Sequence, residues 1–170
     1  FIRNRCFAWM RPMFDLTSND GIGFLNRRIK DTQLIQISWV LPTVTVILAT
    51  LIHYFSGNYR DIPFFISETD HPGLEDHVFS IGLFLSALIQ TIVSFRLYIL
   101  FKPIASPKLH LFALLCGLAT STHLAVLSFT TMDQYLEVHI YTAMVVFHGG
   151  FAWAFATHFS LPKSKSKGWK

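Results

Sequence analysis

The sequence predicts an all-α membrane protein, a bundle of four transmembrane helices with both termini on the inner side of the membrane. Hydrophobic residues make up 52% of the 170-residue chain and charged residues 14%, whereas about a quarter of a soluble domain is charged. Four apolar stretches, each long enough to cross about 30 Å of hydrocarbon, explain this balance. They are residues 34–55, 78–101, 109–129 and 136–159. The composition excludes a soluble enzyme, a disulfide scaffold and a disordered chain.

The charged residues alternate along the chain and thereby predict its orientation. Basic residues lie before the first span, between the second and third, and after the fourth: Arg3, Arg5, Arg11, Arg27, Arg28, Lys30, Lys102, Lys108, Lys163, Lys165, Lys167 and Lys170. Acidic residues dominate the other two loops: Asp61, Glu68, Asp70, Glu75, Asp76, Asp133 and Glu137. Because basic loops stay on the inner side, the pattern places both termini inside. It also explains the net charge of +4 without a nucleic-acid partner.

Two basic segments flank the four-helix transmembrane domain, which covers residues 34–159. Residues 1–33 mix arginines with aromatic side chains, which suits an interfacial N-terminal arm facing anionic lipid. A start rich in arginine and poor in acidic residues is also found in mitochondrial targeting peptides, so that interpretation stays open. Residues 160–170 form a basic tail, which the orientation places in the cytosol.

Small and polar residues recur at four-residue spacing along the second and third spans and predict the helix-packing faces, to which the fourth span adds two adjacent glycines. They are Gly82, Ser86 and Gln90 in the second span, Ala113, Gly117 and Ser121 in the third, and Gly149 and Gly150 in the fourth. Residues four apart share a helix face, and small side chains there let two backbones approach closely. We expect the Gln90 amide to form a hydrogen bond to another helix.

The remaining polar residues of the spans indicate anchoring and packing. Arg96 lies near the inner end of the second span, where its side chain is expected to reach the lipid phosphates. At 1.5 Å per residue, His123 and His148 fall at similar depths, so they are the candidate ligands for one metal or haem. Packing is the favoured interpretation of both histidines, and we expect no cofactor. The chain contains no G-x-S-x-G, H-E-x-x-H or P-loop motif, so nothing in it indicates catalysis.

The outer loop between the first two spans carries the most distinctive local pattern. Its marked residues are Pro63, Ile66, Ser67, Glu68, Thr69, Pro72, Glu75 and Phe79. The prolines restrict the backbone, and the Ser67 and Thr69 hydroxyls can cap local turns. The loop is therefore expected to be ordered, with Pro63, Ile66, Pro72 and Phe79 packed over the outer mouth of the bundle.

This loop resembles the corresponding loop of the damage-regulated autophagy modulator superfamily. Family members share a pattern of roughly Pro-x-x-Ile-Ser-Asp-Thr, then a Pro, a Glu and a Phe entering the second span. The residues quoted above occupy these places, with Glu68 where Asp is usual. Arg96, the stretch 117–129 and His139 also fit, so the resemblance covers residues 38–159. Family members commonly have five or six spans, whereas four are found here.

The resemblance implies a non-catalytic membrane regulator acting through membrane lipids and protein partners, in lysosomal, Golgi or plasma membranes. Three alternatives stay open. The first is an accessory structural subunit of a large membrane complex, which would include the mitochondrial inner membrane as a location. The second is a lipid or GPI-anchor remodelling component, because the superfamily contains such relatives. The third is a single-haem electron carrier using His123 and His148.

Overall fold

Four long helices make up most of the computed structural model: α1 (Asp31–Phe55), α2 (Leu74–Phe101), α3 (Pro107–Leu127) and α4 (Met132–Ser160). A 3₁₀ helix, Ile66–Thr69, lies between α1 and α2. The structure describes residues 14–16, 21–24, 27–57, 66–69 and 72–162. All four helices are long and apolar enough to cross a membrane. Even α3, with 21 residues, is about 32 Å long, which matches the hydrocarbon thickness. The chain is thus a multi-pass helical membrane protein.

Three helices contain the predicted spans 34–55, 78–101 and 136–159 and mostly extend beyond them through polar residues, whereas α3 ends at Leu127, two residues before the end of the predicted span 109–129. Before α1, the backbone N–H of Lys30 donates to the Gln33 side chain, and Pro107 takes the first position of α3. At its other end α1 is followed by Gly57, whose φ of +73° is a left-handed conformation that favours glycine and ends the helix. Within α4, Tyr135 has non-helical dihedral angles and marks a kink near the start of that helix.

A three-stranded antiparallel sheet precedes α1, which the sequence analysis does not predict. Its strands, in spatial order, are β1 (Phe14–Asp15), β2 (Ile22–Phe24) and β3 (Arg27–Ile29). Strands of two or three residues are too short for an alternating pattern to be detected. Ile22 is 1% exposed and packs with Leu34 of α1 and Val93 of α2. The described part of the N-terminal arm is therefore a folded cap on the helices.

The helices run alternately up and down, so the protein has two distinct ends. We call one the sheet end: it holds the sheet, the start of α1, the end of α2, the start of α3 and the end of α4. The other is the 3₁₀ end, which holds the 3₁₀ helix and the turn from α3 to α4. The orientation of these two ends in the membrane stays a prediction from the charge pattern.

The helices pack mainly against their neighbours in the chain: α1 on α2, α2 on α3 and α3 on α4. Of the 18 most apolar consecutive residues of each helix, 33% are buried in α2 and in α3, but only 11% are buried in α1 and in α4. The central core joins Ala49 of α1, Leu83 of α2 and Leu124 of α3. Among the described residues, α1 and α4 share no extensive contact, so these two helices form the edges of a row.

Candidate functional site

The packing interface between α1 and α2, which we call their seam, depends on a glycine of α2 that faces a threonine of α1. A Cβ atom at Gly82 would collide with the side chain of Thr45, which is 4% exposed. One turn further along α2, Ser86 is fully buried, and its hydroxyl donates to the Gly82 carbonyl at 2.7 Å. Because this bond stays within α2, the serine occupies the seam without needing a partner on α1.

At Gly117 three helices meet. A Cβ atom there would lie 3.0 Å from Trp153 Nε1 on α4 and would collide with the Ser94 hydroxyl on α2. Ala113, one turn earlier on α3, is also buried. One turn later, the Thr91 hydroxyl of α2 donates to Ser121 Oγ of α3 at 2.9 Å. This bond ties α2 to α3, the role that the sequence analysis assigns to Gln90.

The structure gives Gln90 a different environment. Gln90 is half-buried on α2, and its backbone carbonyl accepts a hydrogen bond from the Ser94 hydroxyl. Within the described part of the chain, the Gln90 amide makes no hydrogen bond to another helix. The short hydroxyl side chain of Thr91 reaches α3 at a point where the helices are close.

The seam between α3 and α4 distinguishes two adjacent glycines. A Cβ atom at Gly149 would lie 2.6 Å from the Thr120 hydroxyl oxygen, so this position requires glycine. At Gly150 the nearest atom would be Thr120 Cγ2 at 4.0 Å, which is ordinary contact. Of the two glycines predicted to form the seam, only Gly149 lies in tight packing.

Arg96 lies in the protein and not at the lipid surface, which differs from the expected lipid anchor. The side chain is 2% exposed. Its Nε and Nη2 atoms donate to the two carboxylate oxygens of Asp31, at 2.7 and 2.9 Å, and its Nη1 donates to the Leu16 carbonyl. The guanidinium turns inward because a carboxylate at the start of α1 and a carbonyl before β2 match its donors. Arg96 thus joins α2 to α1 and to the sheet.

The loop residues divide into buried and exposed positions. Thr69 is fully buried, and its hydroxyl closes the 3₁₀ helix by donating to the Ile66 carbonyl at 2.6 Å. Phe79 is buried in the core, as expected. Ile66 is 56% exposed, so the expectation that it packs over the helices is wrong: Thr69 occupies the inward position instead.

The other loop positions follow the same division. Ser67 is half-buried and Pro72 is exposed. Pro63 and the side chain of Glu68 lie outside the described residues. Of the motif residues that the structure describes, Thr69, Glu75 and Phe79 are buried, whereas Ile66 and Pro72 are exposed.

Glu75 of the loop motif lies against a buried histidine, a contact that the sequence analysis does not predict. Its Oε1 lies 3.6 Å from His53 Nδ1, and both side chains are 2% exposed. His53 belongs to the last turn of α1 and Glu75 to the first turn of α2. The pair therefore joins α1 to α2 at the 3₁₀ end, as Arg96 and Asp31 do at the sheet end.

The two histidines considered as metal ligands each bond to their own helix. His123 Nδ1 lies 2.8 Å from the Ala119 carbonyl, and His148 Nδ1 lies 2.7 Å from the Met144 carbonyl. The His123 ring contacts Tyr141, two helical turns before His148 on α4. His148 is exposed on that helix. Among the described residues, no group of three or more His, Cys, Asp or Glu side chains could hold a metal ion.

A third polar cluster joins three helices at the sheet end. His110 of α3 is 3% exposed; its Nδ1 lies 3.2 Å from Ser160 Oγ on α4, and its Nε2 lies 3.1 Å from the Tyr98 carbonyl on α2. The Ser160 hydroxyl also lies 2.9 Å from the Thr157 carbonyl. The imidazole stacks on the Tyr98 ring, with centroids 5.0 Å apart.

The three clusters share a signal that is visible in the sequence: each uses polar residues near the ends of neighbouring spans. Which partners meet depends on the up-and-down order of the helices, and the sequence analysis pairs none of them. Together they define a multi-pass membrane protein whose helix ends are fastened by buried polar contacts. No family model, no curated protein and no solved structure matches this chain.

Proposed function

We propose that this protein acts without catalysis, as a membrane protein that works through contacts with lipids and protein partners in the manner of the autophagy modulators it resembles. The observation that supports the proposal is the open row of helices. Because α1 and α4 are edges, each presents a long apolar surface to its surroundings. A protein that acts by binding lipids and other proteins needs exposed apolar surfaces of this kind.

The surface of α4 is unusually aromatic. Four phenylalanines spaced four residues apart are 62–68% exposed and form one ridge: Phe147, Phe151, Phe155 and Phe159. The exposed residues of α1 are mainly aliphatic, such as Ile47 and Leu51. Aromatic side chains supply large contact areas at low entropic cost, which favours the ridge as the surface that meets a partner protein. The accessory-subunit function is the second candidate, and the same ridge supports it.

The test is purification from native membranes in mild detergent, followed by identification of the bound proteins and lipids. We expect one or more proteins at constant stoichiometry, and we expect that replacing Phe151 and Phe155 with leucine weakens their retention. Replacing Ile47 and Leu51 with alanine on α1 is the matched control and should preserve retention.

Other outcomes of the same purification would replace the proposal. A haem absorption band lost on His148→Ala would favour the electron carrier. Turnover of a bound lipid or GPI anchor would favour the remodelling component. Members of one large complex retained in constant proportion would favour the accessory subunit, whereas unchanged retention in the phenylalanine variant would exclude the ridge as the contact surface.

We also propose that the sheet end faces the cytosol, in an endomembrane or plasma membrane, since the basic residues cluster there. Single cysteines at Ser56 and Ser106, in a chain lacking its native cysteines, should react with a membrane-impermeant reagent from opposite sides. At the plasma membrane Ser56→Cys should react in sealed cells, and Ser106→Cys only after permeabilisation. In an endomembrane Ser106→Cys should react once the plasma membrane alone is opened, and Ser56→Cys only after the organelle is opened as well. The reverse result would invert the proposed orientation, and labelling of both from one side would contradict the number of spans.

A further inference from the structure

One nitrogen of the His148 ring is held by its own helix, and this sets the role of the other nitrogen. His148 Nδ1 lies 2.7 Å from the Met144 carbonyl, and a carbonyl oxygen only accepts hydrogen bonds, so Nδ1 carries the ring hydrogen. In the neutral imidazole, Nε2 is then a hydrogen-bond acceptor. It has no hydrogen-bond partner among the described residues, and the side chain is exposed. The surface of α4 therefore presents an acceptor to whatever lies beside it.

This acceptor lies in the middle of the membrane. The apolar stretch of α4 runs from Gln134 to Ser160. At 1.5 Å per residue, His148 lies about 21 and 18 Å from its two ends, whereas half of the hydrocarbon core is about 15 Å thick. Water and lipid headgroups are thus out of reach, and lipid chains contain no donor. A polar group left without a partner in hydrocarbon is costly, so another protein segment is expected to supply the donor.

We propose that His148 is the specificity-determining contact of the α4 surface, where its Nε2 accepts a hydrogen bond from a membrane-spanning helix of a different protein. The inference rests on the proposed function, in which the phenylalanine ridge of α4 meets a partner protein. His148 belongs to the same surface, because Phe151 follows it by one helical turn and Phe155 by two. The phenylalanines supply contact area, and the imidazole fixes the depth and rotation at which the partner helix binds.

A second copy of this chain offers no suitable donor at this depth. Two copies inserted in the same orientation and packed through α4 would place His148 opposite His148, and two acceptors cannot bond to each other. The exposed Tyr141 hydroxyl lies two helical turns, about 10 Å, away along α4. On α1, the other edge of the row, Thr43 lies as many residues from the sheet end as His148 does. Its hydroxyl already donates to the Trp39 carbonyl at 2.7 Å.

The same comparison selects the chemistry of the donor on the partner helix. Hydroxyl side chains within the spans mainly donate to their own helix, as those of Thr43, Ser86 and Thr142 do. The amide of asparagine or glutamine and the indole of tryptophan are longer, and their N–H groups can reach another helix. We therefore expect one of these three side chains on the partner helix, level with His148.

The first experiment identifies what lies against this surface. The photo-cross-linking analogue p-benzoylphenylalanine is placed at Phe151, which is 68% exposed, and is activated in native membranes. We expect a cross-link to a membrane-spanning segment of a different protein that carries asparagine, glutamine or tryptophan beside the cross-linked position. A cross-link to a second copy of this chain, to lipid alone, or to a segment without such a donor would overturn the proposal.

The second experiment measures the affinity of the purified full chain for the cross-linked protein in mild detergent. His148→Leu removes the acceptor and should weaken binding about fivefold to tenfold, the effect of one interhelical hydrogen bond. His148→Gln should keep most of the affinity, because the glutamine side-chain oxygen can accept in place of Nε2. His158→Leu is the matched control and should leave binding unchanged, because His158 is an exposed histidine in the last turn of α4, within reach of water and headgroups.

The melting temperature of the chain alone separates this contact from folding. His148→Leu should not lower it, since among the described residues the ring bonds only to its own helix. Equal binding by the His148→Leu and His158→Leu variants, or a haem band that His148→Leu abolishes, would overturn the proposal. If Phe151→Leu with Phe155→Leu weakens binding and His148→Leu does not, this inference fails and the proposed function stands. If the wild type retains no protein, both fail.

Discussion

The ion pair between Arg96 and Asp31 predicts that removing one partner costs more folding stability than removing the other. Arg96 is 2% exposed, whereas Asp31 is 24% exposed. Removing one member of a buried pair costs about 3–5 kcal/mol, because the other charge is left without compensation. Water can partly solvate Asp31 but not Arg96. The loss should therefore be larger when the carboxylate is removed than when the guanidinium is removed.

Asp31→Asn should destabilise the fold by about 4 kcal/mol, since a neutral amide replaces the charge that Arg96 faces. Arg96→Met should cost only about 2–3 kcal/mol, because methionine fills much of the space and Asp31 can meet water. For a chain of this length, 1 kcal/mol corresponds to about 2–4 °C in melting temperature. The two variants should thus melt about 8–16 °C and 4–12 °C below the wild type in the same detergent.

Two further variants make the argument decisive. The double variant Asp31→Leu with Arg96→Met removes both charges and should melt above Asp31→Asn, because an apolar pair leaves no charge without compensation. Lys102→Met removes an exposed cation from the same end and should change stability by less than about 0.5 kcal/mol. If Arg96→Met is the more damaging single change, or if the double variant is no better than Asp31→Asn, the reasoning is refuted.

The remaining predictions concern the glycine seams. Gly117→Leu should cost about 3 kcal/mol or more by forcing Trp153 and Ser94 apart, whereas Leu115→Phe should be tolerated because Leu115 is 56% exposed; equal melting temperatures would show that the seam lies elsewhere. Gly149→Ala should destabilise the α3–α4 seam by about 1–3 kcal/mol, whereas Gly150→Ala should have little effect. A thermal melt of this neighbouring pair tests that contrast directly, since both changes add one methyl group to the same helix.

The four helices could be predicted from the sequence because hydrophobic stretches of this length have few other structures available. Gly82 and Gly117 can be selected by their spacing and Gly149 by its small size, and a side chain at each would collide with a neighbouring helix. Spacing could not separate Gly149 from Gly150, because adjacent residues differ by 100° around the helix and the neighbouring helix was unknown. The direction of a side chain such as Ile66 could not be predicted either, since it follows from the hydrogen bond that closes the turn.

The environment of Arg96 was beyond sequence reasoning for a related physical reason. A single arginine near the end of a span has two low-energy solutions, to reach the phosphates or to meet a carboxylate. Which one applies depends on where Asp31 lies, 65 residues earlier in the chain. The β-sheet was equally hidden, because its short strands are fixed by contact with Leu34 and Val93 and not by a pattern of their own.

Packing between chain neighbours has a consequence for biosynthesis. Each helix after the first packs against the helix made just before it, so the protein can assemble in order as it leaves the ribosome. The ion pair of Asp31 and Arg96 can form only after the last turns of α2 have been synthesised, so the N-terminal cap cannot close before then. A chain that ends after Phe101 and has left the ribosome should therefore already contain a closed cap, in the absence of α3 and α4.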